Sequence, residues 1–275
     1  MTNAICIQEQ YLSGFLAPDG ERSVSMAEKW DLAQEWGFDG IELRAQGEGA
    51  FLARLPELRA AADAGVPMPT VCVEMSHFIG AFGAELRADA IEQMRQQLRV
   101  MAEIGGRGAM TPASWGMFSR RLPPFEPPRT PAEDRAVLED ALGDLGAEAA
   151  SLGVAIYLEP LNRYEDHMVN RLADAVLLIR AVGLDSVQIG ADTYHMNIEE
   201  ADPAAALVDA GPYIGHVQAS DSNRLEPGAG HVDWPLIGAT LRAIGYDGPI
   251  AIESRLSGPA DEVLPRVAPL LRRFL

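Results

Sequence analysis

The chain has 275 residues and is 48% apolar, enough to bury one core in a single domain spanning 1–275. Its 22 Lys+Arg face 40 Asp+Glu, a formal charge of −18, which leaves little basic surface to displace counterions from nucleic acid or to hold an anionic membrane. It contains no run of about 18 apolar residues, its start MTNAICIQEQYL lacks the form of a secretion signal, and Cys6 and Cys72 suggest no disulfide framework, so a cytoplasmic protein is expected.

In chain order, apolar runs ending in polar residues occur at Ala4–Ile7, Gly40–Arg44, Thr70–Ser76, Gly108–Thr111, Val154–Glu159, Val187–Asp192, Gly215–Ser220 and Pro249–Glu253. Stretches of helical period lie between them, including Ser25–Trp36, Glu85–Ile104, Ala132–Ser151, Leu172–Val182, Pro235–Ile244 and Asp261–Phe274. In Glu85–Ile104 the residues Leu86, Ile91, Met94, Leu98 and Met101 repeat at helical spacing and predict one apolar face. Eightfold strand–helix alternation predicts an α/β fold, a parallel eight-stranded sheet closed into a (β/α)8 TIM barrel. The segment Arg121–Ala132, RLPPFEPPRTPA, holds five prolines. It reads either as a stiff wall or lid on the catalytic rim after the fourth strand, or as a rigid surface spacer.

In such a barrel the chemistry sits at the carboxyl ends of the strands. The last four runs end with Glu159, Asp192, Gln218 and Glu253 at or near their termini, separated by 33, 26 and 35 residues. One strand–helix unit averages about 31 residues in a barrel of this size, so the four side chains are expected to converge from adjacent strands. Taken singly, each is an ordinary strand-end polar residue. Three carboxylates and an amide in one pocket repel each other unless a cation lies between them, and an all-oxygen set favours Mg²⁺ or Mn²⁺ over Zn²⁺ or Cu²⁺. His216 falls on the same strand face as Gln218 and reads as a partner orienting a ligand or as a buried structural histidine. His77, Trp115 and Phe118, near the ends of the third and fourth strands, read as pocket-lining or as rim packing.

The segments EPLNRYE (Glu159–Glu165), DTYHMNIEE (Asp192–Glu200), DSNRLEPGAG (Asp221–Gly230) and IGYDGPIAIE (Ile244–Glu253) resemble the xylose-isomerase-like barrels. Within these, the segments are most similar to the ketose 3-epimerases acting on D-tagatose and D-allulose (D-psicose). The resemblance implies one divalent metal, Mn²⁺ or Mg²⁺ with Co²⁺ a third candidate, held by Glu159, Asp192, Gln218 and Glu253. It also implies Glu159 and Glu253 as the two catalytic carboxylates, and Glu165, His195 and Arg224 as contacts to a small sugar or hydroxyketone substrate. The third ligand of the epimerases is histidine; Gln218 resembles the glutamine of hydroxypyruvate isomerases instead.

The expected activity is isomerisation or epimerisation by proton transfer through a metal-bound enediolate, with the two Glu as acid and base. The alternatives are a hydroxypyruvate-type isomerase or inosose-type dehydratase on the same barrel, and a non-catalytic metal-binding barrel. A homo-oligomer, dimer or tetramer, is also implied.

Overall fold

In a computed structural model of the chain, residues 3–20, 22–116 and 128–275 are described. The apolar runs form eight strands: β1 Ile5–Gln8, β2 Gly40–Gln46, β3 Thr70–Glu74, β4 Gly108–Pro112, β5 Ala155–Glu159, β6 Val187–Asp192, β7 Ile214–Ala219 and β8 Ile250–Ile252. Each pairs in parallel with the next, and β8 returns to β1, so the sheet is a closed (β/α)8 barrel, as expected.

The helices among the described residues are α1 Glu9–Leu16, α2 Met26–Glu35, α3 Ala50–Ala53, α4 Leu55–Asp63, α5 Ala84–Glu103, α6 Pro131–Leu152, α7 Leu172–Val182, α8 Thr193–Glu199, α9 Pro203–Ala210, α10 Trp234–Ala243 and α11 Ala260–Arg272. Local chemistry sets their ends. Capping boxes of Ser25 with Glu28 and Thr130 with Glu133 start α2 and α6. Gly153 and Gly183, at φ 72 and 70, close α6 and α7 in a left-handed conformation that other residues adopt at a cost. No described helix is long and apolar enough to cross a membrane.

Alternation along the strands sorts side chains between two spaces. Ile5, Ile7, Ile41, Leu43, Val71, Ile156 and Leu158 join Leu98, Met101, Leu142 and Leu145 of the helices in the main core. Leu86, expected on the same face as Leu98, is 52% exposed on the first turn of α5. Met110, Ala155 and Tyr157 form a separate small cluster. Glycines make room for it: a Cβ on Gly108 would lie 2.1 Å from Ala155 O, and one on Gly190 would lie 2.9 Å from Met110.

Several boundaries differ from the sequence reading. β8 stops at Ile252, so Glu253 is the first residue beyond the strand, and β7 runs one residue earlier than expected. Residues 121–127 of the proline-rich segment, and Phe118, lie outside the described residues. Cys6 and Cys72 are free and buried.

Candidate active site

The carboxyl ends of the strands surround a cavity of about 280 Å³ whose walls include Arg44, Cys72, Trp115, Glu159, Glu165, His195, Arg224 and Glu253. Register brings the expected residues together: Asp192 pairs with Gln218, and Gln218 pairs with Ala251, two residues before Glu253. Glu253 therefore stands one pleat nearer the mouth than the other two. Glu159, Asp192 and His195 offer ligand atoms within 4.8 Å of one another, so this corner could hold a metal ion.

The remaining carboxylate is reached through Arg224, whose guanidinium donates to Asp192 Oδ2 and, at 2.7 Å, to Glu253 Oε2. Arg224 is one of few non-glycine residues at positive φ (61°). Its backbone N–H donates to Asp221 O, its carbonyl accepts from Arg255 N, and its guanidinium lies over the Tyr194 ring at 5.0 Å. The loop thus holds a strained backbone so that the side chain enters the acidic cluster.

Beneath the cavity lies a network that the sequence reading missed. Glu42, fully buried on β2, accepts from Gln8 Nε2 (2.8 Å), Thr70 Oγ1 (3.0 Å) and Gln218 Nε2 (2.9 Å), and bonds His216 Nε2 at 2.6 Å. Burial alone would raise its pKa; the His216 ring and the donated hydrogen bonds reverse this and hold the carboxyl below its ordinary range. The bond to Glu42 fixes the amide of Gln218, leaving Oε1 buried with no hydrogen-bond partner among the described residues. A buried lone oxygen in register with a carboxylate suits a cation. The residues present therefore fit a divalent ion.

A second missed residue, Asn162, orients His195. The backbone N–H of Asn162 donates to His195 Nδ1 at 3.1 Å, and its Nδ2 lies 2.8 Å from the same nitrogen. Because Nδ1 accepts, the ring proton belongs on Nε2, which lies 3.7 Å from Glu159 Oε1. Asn162 Nδ2 also donates to Glu165 Oε1 at 3.0 Å, while Trp115 Nε1 donates to Glu165 Oε2 at 3.1 Å. Glu165, His195 and Trp115 thus form one wall. His77 turns elsewhere: its Nε2 lies 2.6 Å from Asp89 on α5, and it is not among the lining residues of the cavity.

The electrostatics divide the two glutamates. Burial, then the charges of Glu253 and Asp192, push Glu159 well above the usual carboxylate range. Desolvation acts to raise Glu253 as well, yet the guanidinium groups of Arg224 and Arg44 bring it down to about 2. Burial lowers the pKa of His195 and favours its neutral ring. Burial and the Glu253 charge raise the Cys72 thiol, which disfavours its thiolate.

A parallel barrel with carboxylates, an amide and an arginine converging on its carboxyl mouth has the architecture of a TIM-barrel enzyme with a candidate metal site. The chain belongs to the family described as xylose isomerase-like TIM barrel, which it matches over residues 30–274. It is 42% identical, over 234 residues covering 84% of this chain and 88% of the relative, to the 3-dehydro-D-guloside 4-epimerase of Escherichia coli K12. Over 129 residues, 47% of this chain and 45% of the relative, it is 37% identical to the D-psicose 3-epimerase of Agrobacterium fabrum. The crystal structure of apo 3-keto-D-glucoside 4-epimerase from E. coli is similar with a TM-score of 0.88 and 37% identity, covering 98% of this chain and 99% of that one.

Proposed function

We propose that the chain is a divalent-metal-dependent sugar epimerase that inverts the carbon next to a ketone, its substrate being a 3-oxo glycoside inverted at C4. The observation that carries this reading is that Glu159 and Glu253 line one cavity, that Arg224 joins Asp192 to Glu253, and that Gln218, in register with Asp192, has a side-chain oxygen without a hydrogen-bond partner among the described residues. The likeness to the two 4-epimerase matches supports the substrate. Those four residues would hold Mn²⁺ or Mg²⁺. When bound, the ion supplies Lewis acidity, which makes the C–H beside a ketone more acidic.

The side chains divide the remaining work. One of Glu159 and Glu253 removes the proton from the carbon beside the ketone, leaving an enediolate. The other delivers a proton to the opposite face, which inverts that carbon. His195, with its proton on Nε2, donates to a substrate oxygen; as a metal ligand it would need that nitrogen unprotonated, and the Asn162 N–H at Nδ1 opposes this. Arg224 exchanges its bonds to Asp192 and Glu253 for substrate oxygen, and Glu165 accepts from a sugar hydroxyl. Trp115 packs on the sugar's apolar face.

A second reading, epimerisation of a free ketose at C3, is favoured by the likeness to the D-psicose 3-epimerase. It uses the same groups, as does the aldose–ketose shift of a hydroxypyruvate-type isomerase, in which the proton returns to the neighbouring carbon. Our reading includes a single-domain, cytoplasmic enzyme assembled as a dimer or tetramer.

The test is incubation of Mn²⁺-loaded protein in D₂O with methyl 3-oxo-β-D-glucopyranoside and a panel of ketoses, followed by NMR. Deuterium at C4 of the glycoside with inversion supports the first reading. Label at C3 of a ketose supports the second, and label at C1 or C2 supports an isomerase. No exchange in any substrate refutes all three. Glu159→Gln and Glu253→Gln are each expected to abolish exchange, and wild-type turnover in either would refute the two-carboxylate scheme.

A further inference from the structure

Beside the catalytic cavity lies a larger one, about 530 Å³, built from the segments that follow β1 and β2 and from the ends of β2 and β3. Arg44 and Glu74 line both spaces, so the two adjoin across that pair. Arg44 is the hinge between them: its Nη1 lies 3.5 Å from Glu253 Oε1 on the catalytic side, and its Nε lies 3.6 Å from Glu74 Oε2. That Nε is buried and makes no hydrogen bond among the described residues.

The walls of the larger cavity specify its occupant. Arg22, Lys29, Arg44 and Arg54 face Glu9, Glu57 and Glu74, with Gln10, Gln46 and two serines between. Cation and anion nearly balance, in a chain that is strongly acidic overall. Lys29, the only lysine in the sequence, is spent within the wall on the buried carboxylate of Glu9 at 2.6 Å, as is Arg54. No aromatic ring lines the space among the described residues, which removes the usual platform for a flat apolar group. A surface of balanced, closely spaced donors and acceptors suits a neutral molecule rich in hydroxyls.

We infer that this cavity is a second sugar subsite, which receives the substituent at C1 of a 3-oxo glycoside while the oxidised ring occupies the catalytic cavity. The natural substrate is then a 3-oxo disaccharide or a similarly hydroxylated glycoside. The inference rests on the epimerase reading above and extends it to the part of the substrate that does not react. Binding energy from that remote part then favours the longer substrate.

The test compares kcat/KM for 3-oxo-cellobiose and methyl 3-oxo-β-D-glucopyranoside, in the wild type and in Ser13→Trp, which fills the larger cavity from α1. Ala17→Trp, just beyond α1 and also lining only this cavity, replaces it if Ser13→Trp does not fold. The wild type is expected to prefer the disaccharide by about tenfold or more. The tryptophan variant is expected to lose that preference through KM, with kcat/KM for the methyl glycoside unchanged within about twofold, as one to two hydrogen bonds would give. Calorimetry with unoxidised cellobiose supplies a readout apart from turnover, and binding should weaken in the variant. Turnover of the methyl glycoside without any preference for the disaccharide overturns the subsite and leaves the epimerase reading standing. An equal loss on both substrates also overturns it. No turnover of either glycoside refutes the epimerase reading itself.

Discussion

Replacing Glu42 by glutamine probes the layer beneath the proposed metal site without touching a ligand. In the wild type one carboxylate oxygen serves Thr70 and His216, and the other serves Gln8 and Gln218. Glutamine keeps one acceptor and presents an NH₂ on the other side. That NH₂ is tolerated facing Thr70 and His216, because the hydroxyl can rotate and the imidazole can move its proton to Nδ1, which has no hydrogen-bond partner among the described residues. The bond to Gln218 survives but loses its charge, falling from about 1.5–3 to about 0.5–1.5 kcal/mol. The Gln218 amide is then held less firmly in its present orientation. Loss of a partner that orients a metal ligand typically costs about 10- to 100-fold in affinity; the neutral bond that remains puts Glu42→Gln near the lower end. The assay is calorimetric titration with Mn²⁺, beside thermal melts. Thr70→Val, which removes a Glu42 bond on the far oxygen, should change Mn²⁺ affinity by less than about threefold, a limit set below the range for orienting partners. A folded Glu42→Gln protein that binds Mn²⁺ as tightly as the wild type would refute the reasoning.

Further outcomes follow from packing and charge. Gly108→Ala places a methyl 2.1 Å from the Ala155 carbonyl and 2.8 Å from the Tyr157 ring, so β4 and β5 must part. A loss of about 1–3 kcal/mol is expected by chemical denaturation, and an unchanged midpoint would contradict it. Glu9→Gln removes the partner of two buried or half-buried cations and should cost about 3 kcal/mol at neutral pH. Burial alone would raise the Glu9 carboxyl, but Arg54 and Lys29 hold it below its ordinary value of 4.5. Its contribution is therefore complete above that pH and is lost as pH falls through the lower, folded value. Urea melts should show the gap between wild type and Glu9→Gln closing in acid; a gap independent of pH would sink the assignment. Asp202→Ala, which removes the acceptor for Ala205 N at the start of α9, should cost about 1 kcal/mol, read as a drop of about 2–4 °C in Tm.

The barrel was legible because each apolar run ended in polar residues at a spacing of one structural unit. The ligand candidates were legible for the same reason: Asp192 and Gln218 pair in register, and spacing alone anticipates that. Glu42 was not found, since it lies mid-strand between Ile41 and Leu43 and resembles the polar half of an ordinary alternation. The available signal was a charge at an inward position of a buried strand, which requires partners. Asn162 lay inside a segment already singled out, but its role depends on a backbone N–H meeting a ring 33 residues away, and no local pattern encodes that. His77 follows β3 as expected, yet its ring meets Asp89 on α5. The second cavity escaped notice because its charged residues come from separate helices, strands and loops and read singly as solvated surface.

The central claim is that four oxygen-bearing side chains from neighbouring strands share one divalent ion. Anomalous diffraction from crystals of the unmodified protein soaked in Mn²⁺ tests it most directly. A single peak bonded to Glu159, Asp192, Gln218 and Glu253, with the Arg224 guanidinium withdrawn from the two carboxylates it now bridges, is the predicted result. A peak held by Glu159, Asp192 and His195 without Gln218 and Glu253, or no peak at the barrel mouth, would contradict it.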